Sequence, residues 1–164
     1  MSEPRRCQVA VSGGATDPPE DMLAAAEEVG RRLAEAGITV VCGGLGGVMD
    51  AVARGAAEAG GMVIGIVPGV DPADANPHCT HVVATGIGHA RNLAVVASGD
   101  AVIAIGGEWG TLSEIAFARR LGRPVVAFQT WTVRGIGPMA DAPGIVVADD
   151  PAGAVAAVAD AIGS

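Results

Sequence analysis

The sequence predicts an α/β protein built on a doubly wound parallel sheet, Rossmann-like, with helices on both faces. Three observations carry that expectation. Runs of Val, Ile and Ala of strand length alternate with amphipathic segments of helix length. The strand runs carry consecutive apolar residues, not one at every second position, which suits strands covered on both sides. Three glycine loops, Ser12-Gly13-Gly14, Gly43-Gly44-Leu45-Gly46-Gly47 and Gly106-Gly107-Glu108-Trp109-Gly110, each follow such a run. In a parallel sheet these loops gather at the carboxyl ends of the strands, where ligands bind beside the point at which strand order reverses.

Residues 7–12 read as the first strand. Asp17-Pro18-Pro19-Glu20 has the form of a helix start: a capping Asp, prolines in the first turn and an acid three residues on. Met22, Ala26, Val29, Leu33 and Ala36 recur at steps of three or four until Gly37 stops the helix. Residues 38–42 form a second strand, and the glycine loop after it opens a helix over 48–59. Gly60-Gly61 ends that helix, and 62–67 is a third strand. The Pro-, Asp- and Asn-rich stretch 68–80 reads as a loop and 82–84 as a short strand. A short helix over 89–97 precedes a buried strand at 101–105. A helix over 111–121, a strand at 124–128, a loop over 135–143, a strand at 145–148 and an Ala-rich helix over 151–162 complete the alternation. No internal repeat or linker divides the chain, so residues 1–164 are expected to form one nucleotide-binding domain.

Composition narrows the function. Half the residues are hydrophobic and 17% are charged, as in a folded chain. A net charge of −8 argues against nucleic acid, which needs a cationic surface, but not against a small anion held by backbone amides and one arginine. All ten basic residues are Arg. A pyridoxal enzyme needs a Schiff-base lysine and a P-loop kinase its phosphate lysine, so both are excluded. The strict GxGxxG fingerprint is absent, which disfavours a nicotinamide cofactor, and no cofactor is expected. Cys7, Cys42 and Cys79 follow no metal or redox spacing and suit a reducing cytoplasm. His78-Cys79-Thr80-His81 lacks a second ligand pair at zinc spacing, so no metal is expected. No apolar run approaches the ~20 residues that span a membrane, and the N-terminus does not read as a signal peptide.

The third glycine loop carries the most chemistry. A strand that ends in glycines and restarts as a helix presents backbone N–H groups and a positive dipole end to an anion. Glu108 and Glu114 put two acids beside it. Thr111-x-x-Glu114 also has the spacing of a capping box, in which Glu114 serves only the helix start. Arg91, in Gly88-His89-Ala90-Arg91-Asn92, either clamps a phosphate or is a solvated arginine at a helix start, where the dipole disfavours it. Trp109 either stacks on a ring or packs on a neighbouring element. Glu108 reads as a solvent-exposed bystander, and Arg119, Arg120 and Arg123 as cations suited to a helix C-terminus.

Gly106-Gly107-x-x-Gly110-Thr111-x-x-Glu114 resembles the GGxGTxxE signature of the LOG proteins, cytokinin-activating phosphoribohydrolases, with one residue inserted. The resemblance continues in Gly43-Gly44-Leu45-Gly46-Gly47-Val48-Met49, in Gly60-Gly61-Met62-Val63-Ile64-Gly65-Ile66-Val67-Pro68 and in His89-x-Arg91-Asn92, and covers most of residues 7–128. It implies that Arg91 and Glu114 are the catalytic pair that cleaves the N-glycosidic bond of a nucleoside 5′-monophosphate to base and ribose 5-phosphate. Candidate ligand- and phosphate-binding positions are Gly13, Gly14, Gly43, Gly44, Gly46, Gly47, Met49, Asn92, Gly106, Gly107, Gly110 and Thr111. A homodimer or higher homo-oligomer is implied as well, and no nucleic-acid or membrane partner is expected. The sequence departs from the LOG pattern at three points: the proline before the glycines is missing, Ser113 replaces an acid and Asn92 replaces a lysine. In these features it looks more like a smaller group that includes molybdenum cofactor carrier proteins, which bind a phosphorylated pterin without turning it over; a nucleotide-sensing module is a third reading.

Overall fold

The computed structural model describes residues 6–137 and 144–163. The strands are β1 (Gln8–Gly13), β2 (Thr39–Cys42), β3 (Val63–Val67), β4 (His81–Ala84), β5 (Ala101–Ile105), β6 (Val125–Phe128) and β7 (Ile145–Ala148). The helices are α1 (Glu20–Glu35), α2 (Val48–Glu58), α3 (Arg91–Ser98), α4 (Trp109–Arg120) and α5 (Pro151–Ile162), with short 3-10 turns at Pro72–Asp74 and Gly88–Ala90. The strands form one sheet in the order β4-β3-β2-β1-β5-β6-β7. Every neighbouring pair is parallel. Strand order therefore reverses between β1 and β5, the expected doubly wound arrangement.

The side chains of each strand alternate between two cores, since successive Cβ atoms point to opposite faces. Val9, Val11, Val40, Cys42, Ile103, Ile105, Val126 and Phe128 face α1, α2 and α5. Ala10, Val41, Val102, Ala104 and Val125 face α3 and α4 with Val95, Val96, Ile115 and Ala118. Both faces are covered, which explains the unbroken apolar runs 9–11 in β1, 40–42 in β2 and 101–105 in β5. Each fully buried valine contributes about 1.5–3 kcal/mol.

Two helix starts differ from expectation. Asp17 does not cap α1: the cap is Pro19, whose carbonyl accepts from the Leu23 amide at 3.0 Å. Asp17 sits in the preceding loop with φ at 37°. Nor does Thr111 cap α4, which begins two residues earlier, at Trp109. A tight turn after β5, with Gly106 at φ 65°, lets the helix start early. The loop expected over 135–143 lies outside the described residues from 138 onward.

Candidate functional site

The register Ser12↔Ala104 and Gly13↔Ile105 aligns the carboxyl ends of β1 and β5. From there the chain departs to opposite faces, into α1 on one side and α4 on the other. The crevice so opened is a cleft of about 620 Å³, within the ordinary ~300–1,000 Å³ range of small-molecule sites.

Glu114 lies in the second turn of α4, buried with only 6% of its surface exposed. Its Oε2 accepts a hydrogen bond from Ser12 Oγ, at the end of β1. The capping-box alternative is overturned by this geometry, because Thr111 is already inside the helix and Glu114 reaches across the crevice instead of back to the helix start. Burial pushes the Glu114 carboxyl up to about 7, against the opposing pull of the Ser12 hydroxyl and the Arg91 charge.

Arg91, the first residue of α3, is 8% exposed, so the solvated alternative is ruled out. Its Nη1 donates to Asn92 Oδ1 and its Nη2 to the Gly43 carbonyl at 3.3 Å. Its Nε is buried and has no partner among the described residues. Burial lowers the pKa of Arg91, partly offset by the Glu114 and Cys42 charges. A buried guanidinium with an unused donor is costly unless a ligand completes it.

Asn92 extends the arrangement. Its Nδ2 donates to Ser113 Oγ at 3.4 Å, and that hydroxyl donates to the Gly110 carbonyl at 2.6 Å. The positions that replace a lysine and an acid in the LOG pattern are therefore hydrogen-bonded to each other, as a neutral pair.

The cleft is lined by Gly13, Gly14, Gly43, Met49, Asn92, Gly107, Gly110 and Thr111 together with Arg91 and Glu114. Gly44, Gly46, Gly47 and Gly106 are not in its wall. A Cβ on Gly44 would meet Val67, and Gly47 with φ 65° forms the turn into α2, close against Gly14 and Ala15. No side chain caps the start of α4, so no side chain occupies the amides of its first turn at the cleft.

Besides the apolar Val11, Ala15 and Leu45, and Trp109 as weighed above, four polar or aromatic lining residues were given no ligand role from the sequence. Ser12 is one. Glu108 is another: exposed as expected, it nevertheless lines the cleft and its Oε1 accepts from the Thr16 amide at 2.9 Å, tying the loop after β5 to the loop after β1. His89, quoted only as part of a motif, lies in the 3-10 turn before α3. The fourth is Trp131, beyond β6. Its ring centroid lies 5.1 Å from that of Trp109, with the rings tilted by 37°. The available signal was compositional: the chain has two tryptophans, and both are here.

The chain is similar in structure to the molybdenum cofactor binding protein of Rippkaea orientalis, with TM-score 0.87 and 28% identity over 96% of this chain and 98% of that one. It is similar to the molybdenum cofactor carrier protein of Chlamydomonas reinhardtii at TM-score 0.83 and 33% identity, over 98% of this chain and 100% of that one. A rice (Oryza sativa subsp. japonica) protein described as a probable cytokinin riboside 5′-monophosphate phosphoribohydrolase is 39% identical over 56% of this chain, a stretch that is 38% of the rice protein. The described residues contain no helix long and apolar enough to cross a membrane. The model of the SLOG cluster4 family matches residues 6–155, and the chain belongs to that family.

Proposed function

We propose that the cleft binds a small phosphorylated ligand of nucleotide or pterin type, and that it hydrolyses the N-glycosidic bond of a nucleoside 5′-monophosphate. One observation carries the reading: a buried carboxyl, Glu114, faces a buried arginine with an unused donor at the switch point of a parallel sheet. The phosphate is held by the open first turn of α4 and the glycine loops, and Arg91, which lines the cleft, offers its guanidinium to phosphate or ribose. Cleavage of the bond from C1′ to the base develops positive charge on the ribose. Glu114 as carboxylate stabilises that charge and orients a water. The water oxygen bonds to C1′ and gives one proton to the Glu114 carboxylate, the bond to the base breaks, and the departing base keeps the bond pair and takes up that proton from Glu114. With its pKa near 7, Glu114 is populated in both forms at neutral pH, as acid–base work requires. One domain in the cytoplasm, assembled as a homodimer, is part of the same reading; three free cysteines support the compartment.

A second reading has a specific observation in its favour. Asn92 and Ser113 form a neutral hydrogen bond where the LOG pattern has two charges, and the molybdenum cofactor proteins correspond to this chain along nearly their whole length. Under that reading the cleft carries a phosphorylated pterin and leaves it intact. A panel of nucleoside 5′-monophosphates, with ribose 5-phosphate as the measured product, separates the two. Hydrolysis predicts release by the wild type and its loss, by 100-fold or more on the order of a catalytic acid–base contribution, in Glu114→Gln, with binding retained. Binding without release by the wild type overturns the hydrolase reading and leaves the carrier.

A further inference from the structure

We propose that Trp109 and Trp131 together seat the flat ring of the ligand and select a two-ring heteroaromatic, purine or pterin, over a single ring. This rests on the reading that the cleft takes a phosphorylated ligand. The chain has no Tyr, two Phe and two Trp, and it places both tryptophans at one cleft. Trp109 is 76% exposed, although indole is among the side chains most stabilised by burial.

Trp131 is held in place by three separate features. Just after β6, Gln129 adopts φ 49°, a conformation that a residue other than glycine rarely takes. Gly107 has no side chain, and a Cβ there would lie 2.7 Å from Trp131 Nε1. That same Nε1 donates to the Glu108 carbonyl at 3.2 Å, which fixes the orientation of the ring. A strained residue, a missing side chain and a directed hydrogen bond thus hold an indole beside the loop that opens α4.

The position matches the chemistry. Trp109 is the first residue of α4 and Trp131 lines the same cleft, so both indoles border the helix start to which the phosphate is assigned. The stacked area grows with the ring system, and stacking tolerates different exocyclic groups because every base has a π-face.

Calorimetric titration tests the assignment with four probes: ribose 5-phosphate, CMP, AMP and a phosphorylated pterin. The wild type is expected to bind AMP, the pterin or both roughly 10-fold or more tightly than ribose 5-phosphate, with CMP between them. Trp131→Ala and Trp109→Ala each lose roughly 10-fold on the two-ring ligands and leave ribose 5-phosphate unchanged, whereas Trp131→Phe retains most of the preference. Preference for AMP against preference for the pterin distinguishes the two sources of the ring. Equal affinity for ribose 5-phosphate and all ring-bearing probes overturns the ring seat while the phosphate site stands. No binding of any probe overturns both. A change of oligomeric state in the alanine variants with unaltered ligand affinity also overturns the assignment, because the indoles then serve a contact between copies. Ring-selective binding without ribose 5-phosphate release leaves the seat intact and removes only the hydrolase reading.

Discussion

Two of the places where glutamate and arginine meet in this molecule have opposite results. On the exposed side of α1, Arg31 donates to Glu28 at 2.5 Å and also pairs with Glu35, and Arg32 reaches Glu28 at 2.6 Å. Each charge has a direct partner in solvent, and Glu28 is held below the ordinary carboxylate range, chiefly by the Arg31 hydrogen bond. In the cleft, Glu114 and Arg91 feel each other's charge, yet their hydrogen bonds go elsewhere, to Ser12, Asn92 and Gly43. Desolvation then dominates, and it moves the carboxyl up and the guanidinium down. The surface cluster is electrostatically complete. The buried pair is incomplete, and the phosphorylated ligand proposed above would supply the anionic partner that Arg91 lacks.

Removing the arginine tests that contrast most severely. Arg91→Met is expected to weaken binding of AMP by roughly 10- to 100-fold, the equivalent of a charge-assisted hydrogen bond, and to raise the Glu114 pKa further by deleting a charge that lowers it. Calorimetry at two pH values measures both; unchanged affinity would remove Arg91 from the ligand site.

Stability against pH sharpens the comparison from the other partner. The Glu114 pKa is near 7 in the folded protein against 4.5 for the free group. Between these values the folded state holds the proton that the unfolded state has lost, so the contribution of Glu114 to stability falls as pH rises from about 4.5 to 7 and levels off above. The span corresponds to about 3 kcal/mol at most. Urea denaturation of wild type and Glu114→Gln at pH 5 and pH 8 is expected to show the variant gaining on the wild type at the higher pH. A difference independent of pH would show that Glu114 is not held protonated.

The smallest effect is expected on α1. Glu28→Gln breaks exposed pairs that water and salt already screen, so the urea midpoint and ligand affinity should stay within experimental scatter. A shift as large as that from Arg91→Met would mean the surface cluster is not the complete, independent arrangement its geometry implies.

Much of the architecture was legible in the sequence because it is locally encoded. The ranges of β5, β7 and α5 match expectation residue for residue. Asp150, followed by Pro151, caps α5 by accepting from the Gly153 amide. The failures come from contacts across the chain. Thr111-x-x-Glu114 has the same spacing whether it starts a helix or lies one turn inside it. What decides is Ser12, 102 residues away in sequence. Glu108 appeared idle because Thr16 is 92 residues distant. Trp131 carries no motif; its place depends on the turn at Gln129 and on the bare backbone of Gly107. Glycine spacing alone also could not separate Gly13 and Gly107, which wall the cleft, from Gly47 and Gly106, which turn the chain behind it.

The separation of Ser12 from Glu114 has a consequence for biosynthesis. A ribosome delivers β1, α1, β2, α2 and β3 as a continuous block, complete with two of the three glycine loops, long before β5 exists. That block has no floor for a ligand, because the carboxyl end of β1 is still missing its neighbour. Only after the chain has been made past Glu114, and β5 has inserted against β1, does a binding site come into being. A nascent or truncated chain that stops short of this point lacks both the β5 wall and Glu114, and so lacks the cleft to which the proposed ligand is assigned.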